Sequence, residues 1–203
     1  MPRENKLKHS QMRARIAAAA ARIMAQDGVE DLASAKRKAA RQLGAVETQA
    51  LPTNEEVESE LLAYLSLYQG DEQRERLQAL RYAALDAMRG LEAFRPYLSG
   101  PVLKGTASRY ADVDLQLFTD DRKGLELFFL NRGMPYELSE VRHYCGDEPR
   151  DVQVLRVEWD DIPFTLAVYA AKEERSALKA TPGGRQIERA GINAVAALTE
   201  GDA

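Results

Sequence analysis

The chain changes its hydrophobic period near the middle. Over the first half, apolar residues recur every three or four positions. From Arg13 to Gln26, Ile16, Ala20, Ile23 and Met24 form one stripe among good helix formers, and Gly28 supplies a stop. Glu30 to Leu43 predicts a second helix ended by Gly44. Thr53 or Asn54 caps a third, with Glu56 placed after Thr53 as in a capping box and an apolar face of Val57, Leu61, Leu62, Leu65 and Tyr68. Asp71 opens a long helix through Leu77, Leu80, Ala84, Leu85, Met88 and Leu91, which stops before Pro96.

Beyond Pro96 the period shortens. Val102-Leu103-Lys104 reads as a short strand running into a Gly105-Thr106 turn, and Asp112 to Phe118 alternates polar and apolar residues as the clearest strand. Asp120 or Asp121 caps a helix through Leu125, Phe128, Phe129 and Leu130, closed by Gly133. Tyr136 to Tyr144 reads as a strand, and Val152–Trp159 with Ile162–Tyr169 as a hairpin across Asp160-Asp161. A loop at Pro182-Gly183-Gly184 precedes a last helix from about Gln186 to Leu198. The pattern predicts an α+β protein: a helical N-terminal lobe over 1–98, packed on a small mixed-sheet α/β lobe over 99–203.

Composition narrows the class. The 203 residues are 45% hydrophobic and 30% charged, the balance of a soluble globular chain without a membrane span. The N-terminus has basic residues but no leucine-rich core or cleavage site, so no secretory signal is expected and the cytoplasm is the default location. A single cysteine, Cys145, allows neither an internal disulfide nor a cysteine metal cluster. The net charge of −4 conceals an asymmetry. Basic residues crowd Arg3 to Arg41, whereas Glu47, Glu55, Glu56, Glu58 and Glu60 follow with no basic residue among them. Pairing between neighbouring helices is the expected outcome, with an anionic partner as the alternative.

The chemistry concentrates in Leu103 to Phe118. Asp112 and Asp114 occupy alternate strand positions and so share a face, while Val113 and Leu115 share the other. Paired carboxylates suit Mg²⁺, which favours oxygen ligands and keeps some positions for water and phosphate. A small-residue turn beside them lets backbone N–H groups approach a phosphate closely.

Gly105-Thr106, then Asp112-Val113-Asp114-Leu115 on a strand, then a helix, resembles the polymerase-β-type nucleotidyltransferase superfamily over roughly Val102 to Tyr169. That family's signature is an apolar residue, Gly, and Gly or Ser, followed by an Asp-apolar-Asp/Glu-apolar strand. The resemblance implies transfer of a nucleoside monophosphate from a nucleoside triphosphate through two Mg²⁺ ions. It implies Asp112 and Asp114 as metal ligands, and Gly105, Thr106, Ser108 and Arg109 at the phosphates. The acceptor is left open as protein, RNA or small molecule, with no membrane partner. Two departures stand out. The family places a longer, partly helical excursion before the first carboxylate, where here only Ala107 to Ala111 intervene. Its third carboxylate lies in a later strand, but Ile162-Pro163-Phe164-Thr165-Leu166-Ala167-Val168 carries Thr165 there. Glu158 is the expected substitute acid, with Asp160 or Asp161 as further candidates. Without such an acid, the fold would serve as a catalytically inactive nucleotide-binding or protein-interaction module.

A reading from a different class competes. Arg13 to Gly44 resembles the start of a TetR-type DNA-binding domain. The following Ala45 to Pro52 is acidic and broken by proline where a recognition helix is needed, so DNA is not the expected partner. His9 and His143 are too few for a zinc site, Cys145 lacks a neighbouring base, and Arg185 and Arg189 read as a solvated helix face.

Overall fold

The computed structural model describes residues 2–29, 31–45, 51–68, 70–108, 111–181 and 184–200. It is an α+β protein whose chain divides into two compact units, Met1–Arg76 with Gly105–Ala111, and Leu77–Lys104 with Asp112–Ala203.

The first unit is built on α1 (Pro2–Asp27), α2 (Leu32–Gln42) and α3 (Asn54–Tyr68). Alanine makes this unit close-packed: Ile16, Ala17, Ala20 and Ile23 of α1 meet Ala35, Ala39 and Ala40 of α2 and Val57 of α3. A neighbouring stripe, Ala21 and Ala25, packs against Leu61 and Leu65 of α3. Such short side chains let helix backbones approach closely, and they bury apolar surface at little rotamer cost. The helix ends are specified locally. Asp31 caps α2 by accepting from Ser34 N–H at 2.8 Å and Ala33 N–H at 3.3 Å. Thr53 and Glu56 close a capping box on α3: Thr53 N–H donates to Glu56 Oε2 at 2.6 Å, and Glu56 N–H to Thr53 Oγ1 at 3.2 Å.

Several basic residues find partners within this unit. Arg13 meets Glu56 at 2.7 Å and Lys38 meets Asp27 at 2.6 Å. Lys36 donates to Asn54 Oδ1 at 2.7 Å, and Arg37 lies 3.8 Å from Asp31. Arg13–Glu56 joins the basic segment to the acidic stretch that follows it, and each exposed pair contributes little stability by itself.

The division between units falls inside α4 (Gly70–Gly90). The second unit continues with β1 (Pro96–Ser99), α5 (Gly100–Lys104), β2 (Val113–Phe118), α6 (Arg122–Asn131), β3 (Tyr136–Cys145), β4 (Glu148–Trp159) and β5 (Ile162–Tyr169). It ends with β6 (Leu178–Lys179), β7 (Arg189–Ala190) and α7 (Ile192–Glu200). The seven strands form one sheet in the order β6-β3-β4-β5-β2-β1-β7, in which β2 and β5 run parallel and the other pairings are antiparallel.

Two expectations are corrected here. Val102-Leu103-Lys104 lies in α5, not in a strand. Gly100 takes φ +69°, and Pro101 then favours the first helical turn, which overrides the strand preference of Val102. The last helix begins at Ile192 rather than near Gln186, because Arg189 and Ala190 pair with Ser99 and Leu98 as β7. Arg189 is accordingly a half-buried strand residue whose guanidinium covers the rings of Phe118 and Tyr97 at 4.9 and 5.3 Å.

The sheet has two unlike faces. Val113, Leu115 and Leu117 of β2, with Phe164, Leu166 and Val168 of β5, are buried on one face, as are Leu125 and Phe129 of α6. Trp159 continues that face, donating from Nε1 to Asp86 Oδ2 at 3.0 Å and stacking on Phe128. On the opposite face, Phe118, Val152, Tyr169 and Leu178 cluster at one end, leaving Asp114, Thr165, Arg156 and Glu137 as a polar row at the other. Among the described residues no helix is long and apolar enough to cross a membrane.

Candidate functional site

β1 delivers the chain to a turn at Ser99-Gly100, beside the first residues of β2. The antiparallel register sets Ser99 opposite Asp114, and Ser99 Oγ lies 3.4 Å from Asp114 carbonyl oxygen. Gly100 occupies the left-handed region, open to glycine without strain. A Cβ at this position would fall 2.1 Å from Asp114 Oδ2 and 3.0 Å from its Cγ. The Asp114 carboxylate therefore rests against glycine backbone with no side chain between them.

On the other flank of β2, the parallel register sets Thr165 opposite Asp114. Its hydroxyl donates to Asp112 Oδ2 at 3.2 Å. Asp112 and Asp114 are both half-buried, and they share the sheet face that carries Thr165. Thr165 thus stands where the resemblance expects a third acid, oriented toward the first carboxylate.

Asp112 also lines a cavity of about 480 Å³, together with Tyr136, Glu137, Arg156, Glu158 and Phe164. Glu158 and Asp112 are brought to one cavity. Asp160 and Asp161, by contrast, are the central residues of the β4–β5 hairpin turn, with φ +49° and +62°. Among the described residues no three His, Cys, Asp or Glu side chains cluster closely enough to hold a metal ion together.

Gly105, Thr106 and Ser108 fall in the segment Gly105–Ala111, which groups with the helical unit, whereas Asp112 and Asp114 belong to the sheet unit. Gly105 has φ +75°, Thr106 is buried, and Ala111 N–H donates to Ser108 carbonyl oxygen at 3.2 Å. Gln73 donates to the carbonyl of Ala107 in the same unit. Arg109 lies outside the described residues.

The turn that meets Asp114 is Ser99-Gly100, which the sequence analysis did not single out. Its signal was present as Leu98-Ser99-Gly100-Pro101, an apolar residue, a small pair and a helix-starting proline. Measured from that turn, the excursion to Asp112 runs Pro101 to Ala111 and contains α5. Arg81, buried on α4, holds α5 from behind through Nε to the Val102 carbonyl at 3.4 Å.

Comparison with protein-family models, with curated proteins and with solved structures gives no match to this chain.

Proposed function

We propose that this chain is a nucleotidyltransferase-like protein that binds a Mg²⁺–nucleoside triphosphate through Asp112 and Asp114 and passes the nucleoside monophosphate to an acceptor. The observation that carries this reading is the Asp112–Asp114 pair set between the Gly100 turn and Thr165. Two half-buried carboxylates fit a hard cation that completes its shell with phosphate oxygens and water. Bound there, Mg²⁺ would neutralise triphosphate charge and polarise the phosphoryl group. Gly100, lacking a side chain, leaves room for the Asp114 carboxylate to lie against its backbone. Thr165 holds the Asp112 carboxylate in one orientation. In the transfer, an acceptor oxygen bonds to the α-phosphorus as its bond to the pyrophosphate oxygen breaks, and pyrophosphate leaves. The acceptor's proton passes to Glu158, which lines the cavity next to Asp112.

Thr165 favours a second reading. With a hydroxyl where the resemblance expects an acid, the same fold would bind nucleotide without transferring it, as a nucleotide-binding or protein-interaction module.

Incubating the protein and Mg²⁺ with cell extract and nucleoside triphosphates separates the two. The transferase reading expects label from the α-phosphate, but not the γ-phosphate, on a protein, RNA or small molecule. Intact nucleotide binding with no label transferred supports the second reading and contradicts the first.

A further inference from the structure

We draw no further inference here: the strongest candidate, the groove along α1 of the helical unit lined by Arg15, Arg22, Gln26, Leu43 and Tyr64, offers two exposed arginines to an anion, but nothing in the structure shows what covers them.

Discussion

Gly100 and Asp114 meet without a side chain between them: a Cβ at Gly100 would lie 2.1 Å from Asp114 Oδ2. The contact joins the end of β1 to the start of β2 and fixes where one carboxylate of the candidate site points. Gly100→Ala adds left-handed strain of about 1 kcal/mol and displaces the Asp114 side chain. The variant should unfold at lower denaturant and bind MgATP several-fold more weakly. Unchanged stability and affinity would show that the turn does not govern Asp114.

Thr165 offers a gain-of-function test. Its hydroxyl lies 3.2 Å from Asp112 Oδ2, so Thr165→Asp sets a third carboxylate beside the pair. Mg²⁺ affinity should rise by about tenfold or more, as added ligand charge does in oxygen-donor sites. Thr165→Val, which keeps the shape but removes the hydrogen bond, should weaken Mg²⁺ binding slightly. Calorimetry on both variants checks the pair of signs together.

Gln116 sits two positions beyond Asp114 on the same face and is only 2% exposed. Its Oε1 is buried without a hydrogen-bond partner among the described residues. An unsatisfied buried acceptor costs about 1–3 kcal/mol, so Gln116→Met should stabilise the fold by about 1 kcal/mol in denaturant unfolding. Destabilisation would mean that the amide is satisfied in solution.

His143 makes stability fall on the acid side of neutrality. Burial lowers its pKa below the ordinary 6.5, and its Nδ1 lies 2.6 Å from the Tyr169 hydroxyl, which burial keeps protonated. Above pH 6.5 both folded and unfolded chains hold neutral imidazole, and its contribution is intact. As pH falls below that value, the unfolded chain takes up the proton first and stability declines until the folded group also titrates. The difference in unfolding free energy between wild type and His143→Gln should shrink over this window. A pH-independent difference would contradict the buried neutral imidazole.

Much of the fold was legible where local chemistry and hydrophobic period agree. The Thr53–Glu56 box, the Asp121 cap and the Asp160-Asp161 hairpin act within a few residues, and each forms where its side chains direct it. The shared face of Asp112 and Asp114 was equally readable, because strand alternation needs no partner strand. Other features depended on pairings that one strand cannot reveal. Val102 reads as a strand residue until Gly100 and Pro101 turn the chain into α5. Arg189 reads as helical until its pairing with Ser99 makes it an edge strand. For the same reason, the place of Ser99-Gly100 against Asp114 could not be read, because it comes from the β1–β2 register. The cavity of Glu137, Arg156 and Glu158 was illegible because it depends on the β3–β4 register and on Asp112 from a separate segment.

The most direct measurement is calorimetric titration of ATP, GTP, CTP and UTP with Mg²⁺ into wild type and into an Asp112→Asn/Asp114→Asn variant shown to be folded. The account predicts Mg²⁺-dependent binding of at least one triphosphate by wild type, lost in the double variant. Absence of binding in wild type, or equal affinity in the variant, would contradict the central claim that these two carboxylates form a metal–nucleotide site.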